Sequence, residues 1–143
     1  MRVILDTNVL VSALLKKSST PHKIYQLFKE QKFTLIISPV ILYEIEEVIS
    51  RDYIVKRTQM TRSEREEFMR ELIELSYIVP GVTQVKVIKE DPDDDKFIAA
   101  ALDGMANYIV SGDRHLLDLK EYQGIKIVTP GQFIEELQNY DTT

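Results

Sequence analysis

The chain has no cysteine, few glycines and prolines (five of each), two histidines and no long apolar run. Without cysteine there are no disulfides, no thiolate metal ligands and no cysteine nucleophile. That composition fits a reducing, cytoplasmic compartment. No segment approaches the roughly 20 apolar residues of a membrane helix, and Asp6 interrupts the first apolar run too early for a signal peptide. No glycine-rich phosphate loop and no Ser-His-Asp pattern is present, so those hydrolytic chemistries have no foothold. His22 follows the helix-opening Pro21 and His115 follows Asp113; both read as surface or capping residues.

What is there is an ordinary globular composition with 143 residues, 44% hydrophobic and 29% charged. That length is one domain with room for a substantial core. We assign it to residues 1–140, with 141–143 as a frayed tail. The formal net charge of -5 argues against general nucleic-acid binding, which rests largely on Lys and Arg. The objection weakens if several acids are clustered around divalent cations.

Apolar runs alternate with helix-like segments, the signature of βαβ units and a mainly parallel α/β sheet. Arg2–Leu5, Phe33–Ile37, Ser76–Val79, Val85–Ile88, Tyr108–Ser111 and Ile125–Val128 read as strands. Asn8–Leu15, Pro21–Lys29, a helix from Ser38-Pro39 to about Ser50, one from Asp91-Pro92 to about Ala106, Arg114–Leu119 and Pro130–Gln138 read as helices. Between Arg51 and Ser76 the chain is mostly charged, with helical spacing at Phe68, Leu72 and Leu75. Its arginines alternate with Glu64, Glu66 and Glu67, as on a solvated helix face, the alternative being that Arg51, Lys56, Arg57, Arg62 and Arg65 face a phosphate-bearing substrate.

Acids arrive where apolar runs stop. Asp6 closes Val3-Ile4-Leu5, Asp113 follows Tyr108-Ile109-Val110-Ser111-Gly112, and Asp91, Asp93, Asp94 and Asp95 follow Val85-Lys86-Val87-Ile88. An unpaired buried carboxylate is costly, and in an open parallel sheet ligand sites form beyond the carboxyl ends of the strands. These acids therefore point to one shared, cation-holding pocket. In the helix after Ser38, the stripe Ile41, Ile45, Val48 and Ile49 is bordered by Glu44, whereas Glu46 and Glu47 face away. Asp91 reads as an N-cap. Asp94 and Asp95 flank the stripe Ile98, Leu102 and Met105 on opposite sides, and spacing does not choose between them.

Five segments together resemble the PIN domain family, the nuclease fold of many prokaryotic toxins of VapC type. They are Leu5-Asp6-Thr7-Asn8-Val9-Leu10-Val11-Ser12-Ala13-Leu14, Ser38-Pro39-Val40-Ile41-Leu42-Tyr43-Glu44-Ile45, Asp91-Pro92-Asp93-Asp94-Asp95-Lys96-Phe97-Ile98-Ala99-Ala100-Ala101-Leu102, Tyr108-Ile109-Val110-Ser111-Gly112-Asp113, and Gly124-Ile125-Lys126-Ile127-Val128-Thr129-Pro130-Gly131-Gln132-Phe133. Each motif is weak alone; in this order they span nearly the whole chain. The resemblance implies a three-layer α/β/α domain. It names Asp6, Glu44, Asp95 and Asp113 as the acidic quartet, choosing Asp95 because an Ile-Ala pair follows it at three and four residues. Asn8 and the Ser111 hydroxyl would support that site.

The implied activity is divalent-metal-dependent hydrolysis of single-stranded or structured RNA, as the toxin of a toxin–antitoxin pair. Mg²⁺ or Mn²⁺ suits an all-oxygen ligand set, and one or two such ions are compatible with the residues. The implied partners are RNA, an antitoxin and a second copy of the chain. Arg114, beside Asp113, and Lys16, near the first motif, are the candidate substrate contacts. A phosphatase of haloacid-dehalogenase type would need a second acid two residues after Asp6, where Asn8 stands. A receiver domain would need paired acids after the first strand, which are missing. The remaining alternative is a PIN scaffold that binds RNA or protein without cleaving.

Overall fold

Val3, Ile4 and Leu5 are buried almost completely, because their strand runs through the middle of a sheet covered by helices on both faces. This is why β1 shows no polar alternation. The computed structural model describes residues 1–141, the side chain of Asp141 excepted. Of the expected tail, Asp141 closes the last helix, and 142–143 lie outside the described residues.

The element order is β1 (Arg2–Leu5), α1 (Thr7–Leu15), α2 (Thr20–Lys29), β2 (Thr34–Ile37), α3 (Pro39–Ile49), α4 (Asp52–Thr58) and α5 (Arg62–Leu75). It continues with β3 (Tyr77–Ile78), a 3₁₀ turn (Pro92–Asp94), α6 (Asp95–Asp103), β4 (Tyr108–Val110), α7 (Arg114–Leu117), β5 (Glu121–Tyr122), β6 (Ile125–Val128) and α8 (Pro130–Asp141). The strands lie in the order β3-β2-β1-β4-β6-β5. Every pairing is parallel except β5 against β6. The result is the expected three-layer α/β/α architecture.

Register fixes the edge that matters. Leu5 pairs with Val110, and Val110 with Val128, so Asp6 and Ser111 emerge side by side at the carboxyl edge. From β1 the chain moves outward through β2 and β3, then crosses to β4 and β6 on the other side. The reversal falls between β1 and β4. Such a switch point opens a crevice in a parallel sheet.

Helix starts are set by their caps. Ser19 and Ser38 accept the amides of His22 and Ile41, and proline follows each as a first-turn residue. Thr61 and Glu64 form a reciprocal capping box that starts α5. The charged middle segment is therefore two helices, parted at Gln59, whose φ of 57° closes α4. Two of its arginines pair with glutamates one turn away, Arg62 with Glu66 and Arg70 with Glu67, and Arg65 donates to the Met60 carbonyl.

Helix α6 packs over β1, β2 and β4. Elsewhere an aromatic cluster fills the core: Tyr25 stacks near Phe68 at 5.3 Å, and Phe33 meets Phe133 edge-on at 5.2 Å. Each fully buried ring of this kind stabilises the fold by about 1.5–3 kcal/mol relative to exposure.

Two expectations change. Val85–Ile88 forms no strand, because its Val87 and Ile88 amides are taken by the Asp95 carboxylate. The helix expected from Asp91 starts with a 3₁₀ turn and becomes α-helical only at Asp95.

Candidate functional site

Asp6 is the N-cap of α1 and is 4% exposed. Its Oδ1 accepts the Asn8 amide at 3.2 Å and its Oδ2 accepts the Ser111 hydroxyl at 2.7 Å. Asn8 thus supports the site through its backbone, while the residue itself is exposed. Burial pushes the Asp6 carboxyl above its ordinary range, the two hydrogen bonds oppose this, and the nearby charges of Asp113 and Glu44 add to it.

Ser111 is fully buried and serves two acids at once. While donating to Asp6, its oxygen accepts the Asp113 amide at 2.9 Å. The Asp113 carboxylate in turn caps α7 through the His115 amide at 2.9 Å. Both acids therefore sit at helix N-termini, where amides and the helix dipole favour negative charge.

The aspartate cluster resolves differently from expectation. It is Asp94, 8% exposed, that lies against Asp113 and within electrostatic reach of Asp6 and Asp91. Asp95 turns the other way, its Oδ1 accepting the Val87 and Ile88 amides at 3.1 and 2.9 Å. The 3₁₀ turn accounts for the change, since its tighter winding shifts the phase of the residues before α6. Burial, then the contact with Asp113, pushes Asp94 up to about 8. The same contact holds Asp113 below its ordinary range. Crowded carboxyls of this kind favour one shared proton, here on the Asp94 side of the pair.

Glu44 borders the same crevice. Its Oε2 accepts the hydroxyl of buried Thr7, and its Oε1 accepts Lys96 Nζ at 2.7 Å. Lys96 also reaches Asp93 at 2.7 Å. Burial would lower the Lys96 pKa, but its bonds to Asp93 and Glu44 outweigh that and raise it.

Sequence reasoning passed over Thr7, Lys96, Asp91 and His115 as site residues. Asp91 precedes the 3₁₀ turn without any side-chain capping bond. Instead, ligand atoms of Asp91, Asp113 and His115 all fall within 4.8 Å of one another. The signal available was only that His115 lies two residues from an acid. His22, by contrast, places Nδ1 2.9 Å from the Ala13 carbonyl, away from the acids. Arg114 and Lys16 are both exposed. A cavity of about 780 Å³ is lined by residues of α3 and α5 and by none of these acids.

The donor set suits a hard divalent cation. It is all oxygen apart from the His115 ring, and Asp94 Oδ2 is buried with no hydrogen-bond donor among the described residues. A buried acceptor without a donor is rare and is what an oxygen-preferring ion would satisfy. The class defined by this fold and site is an acidic crevice at the switch point of a parallel α/β sheet.

Comparison with known proteins narrows that class. A family model for the PIN domain matches residues 2–115, and the chain belongs to the PIN domain family. It is 31% identical to an uncharacterised protein of Methanocaldococcus jannaschii, over 98% of this chain and 94% of that one. Among solved structures it is similar to one described as VapBC2 from Rickettsia felis bound to a DNA fragment from their promoter. The TM-score is 0.53 at 15% identity, covering 90% of this chain and 98% of that one. At that identity the likeness speaks for the fold alone. Among the described residues no helix is long and apolar enough to cross a membrane.

Proposed function

We propose that the chain is a divalent-metal-dependent endoribonuclease, acting in the cytoplasm as the toxin of a toxin–antitoxin pair. The observation that carries this reading is the gathering of buried Asp6 and Asp94 with Asp113 at the switch point, with Asp94 Oδ2 lacking a donor among the described residues. Family membership supports it, and the VapBC2 structure that shares the fold suggests an antitoxin as a partner.

In this reading Asp6, Asp94 and Asp113 hold Mg²⁺ or Mn²⁺, with Glu44 at the border of the site. A cation held there would supply activation of an attacking water and stabilisation of charge on the phosphodiester. The chain's own residues do the rest. Ser111 fixes Asp6 and the Asp113 backbone in one geometry. Asp94 would release its proton to solvent on taking up the cation, as ligands do when they bind a metal. The Asp95 carboxylate anchors the 87–88 loop beside the cleft. Arg114 and Lys16, exposed and cationic, meet the substrate phosphates. RNA, an antitoxin and a second copy of the chain are the proposed partners.

The test is incubation of labelled single-stranded RNA with wild type and with Asp113→Asn, in Mn²⁺, in Mg²⁺ and in chelator. The reading expects cleavage by the wild type alone, abolished by chelator. Equal cleavage by both proteins, or cleavage that survives chelation, would contradict it. Folded protein that binds RNA without cleaving it would favour the scaffold alternative.

A further inference from the structure

Lys96 is placed where a lysine is least comfortable. Its side chain is only 12% exposed, and lysine is rarely buried unless paired. It also lies in the first turn of α6, where the helix dipole disfavours a cation. The side chain nonetheless crosses from α6 to α3 to reach Glu44, passing 5.3 Å from the centre of the Phe97 ring. Asp93, its other partner, is 76% exposed, so the buried half of the interaction is with Glu44.

The consequence for Glu44 is that both of its oxygens are engaged, Oε1 by the ammonium and Oε2 by Thr7. An ion approaching Oε1 would meet a positive charge already 2.7 Å away. On the other side of the crevice the situation is reversed, since Asp94 Oδ2 has no donor among the described residues. The capacity to take a cation is therefore unevenly distributed across acids that sequence motifs treat as equivalent.

We infer that the Lys96 ammonium occupies the Glu44 side in place of a second cation, so the cleft takes one divalent ion on the Asp6–Asp94–Asp113 side. Lys96 is in this sense a positioning residue that acts through Glu44. The inference rests on the metal-dependent reading above and goes further by fixing the number of ions and the function of Glu44.

The test counts bound ions by equilibrium dialysis against Mn²⁺, using the full chain as wild type, Lys96→Arg, Lys96→Met and the double variant Glu44→Gln with Lys96→Met. Circular dichroism and thermal melting establish that each is folded. The expected counts are one ion for wild type and Lys96→Arg, and two for Lys96→Met, the second about tenfold weaker or more. The double variant, which also removes the Glu44 carboxylate, returns to one. Two ions in the wild type would overturn the inference while leaving metal binding intact, as would a folded Lys96→Met that binds one. No ion in the wild type would instead overturn the metal-dependent reading itself.

Discussion

Ser111 Oγ lies 2.7 Å from Asp6 Oδ2, joining residues 105 positions apart in sequence. Because the same oxygen accepts the Asp113 amide, one buried hydroxyl sets the spacing of two acids that arrive on neighbouring strands.

Replacing Ser111 with alanine removes that donor and leaves a buried carboxylate with one fewer partner. The expected cost is about 1–3 kcal/mol of stability, read by urea denaturation. Divalent-ion affinity is expected to fall about 10–100-fold, the usual effect of losing a partner that orients a ligand. A Ser111→Ala protein with unchanged Mn²⁺ affinity would show that the hydroxyl does not organise the site.

Metal-free stability should fall as pH rises. Asp94 titrates near 8 in the folded chain against 3.8 unfolded, so between those values the folded state holds a proton that the unfolded chain has released. Stability is then lost as pH climbs from about 4 to about 8. Asp6, also raised, contributes with the same sign. Asp113, held low, contributes stability that is present above its unfolded value and is lost only in acid. Thermal melting in chelator at pH 5.5 and pH 8.5 should show Tm lower at the higher pH by at least about 3 °C, the shift from roughly 1 kcal/mol in a domain of this size. Asp94→Asn should flatten that dependence. A Tm that rises across the same interval would contradict the assignment.

Gly104 ends α6 against β2, and a Cβ there would stand 2.5 Å from Ile36 Cγ2. Ile36 is itself 1% exposed and has little room to move. Gly104→Ala should therefore destabilise the domain by about 1–3 kcal/mol, as overpacking does. Because the strain lies away from the acids, Mn²⁺ affinity of the folded variant should stay within about threefold of wild type, measured by calorimetry.

The legible part of the fold was the part whose local chemistry admits one outcome. Val3-Ile4-Leu5 has no polar alternation because the strand is buried on both faces. Ser19-Thr20-Pro21 and Ser38-Pro39 announce helix starts, and Asp6 and Asp113 mark strand ends. Glu44 was legible from helical phase, and its contact with Thr7 places it at the crevice. Val85–Ile88 misled because β-branched residues favour strands only where a partner strand is available; here the partner is a side chain. The two-residue β5 is too short to leave a periodic signal.

Asp94 and Asp95 show where pattern stops. Extrapolating the α-helical phase of Ile98 and Leu102 backwards assumes 3.6 residues per turn, but Pro92–Asp94 winds at about 3.0. Adjacent aspartates then separate to opposite tasks. Lys96 could be read as a solvated charge from sequence, because nothing local reveals that Glu44, 52 residues away, is its partner.

Asp94 rather than Asp95 joins Asp6 and Asp113, and calorimetric titration of Mn²⁺ into Asp94→Asn and Asp95→Asn, both in the full chain, tests this directly. Asp94→Asn should lose affinity at least about tenfold, as when a ligand or its immediate support is removed. Asp95→Asn keeps a carbonyl oxygen for the Val87 and Ile88 amides and should stay within about threefold of wild type. The reverse ranking, with Asp95→Asn abolishing binding and Asp94→Asn sparing it, would contradict the site as described.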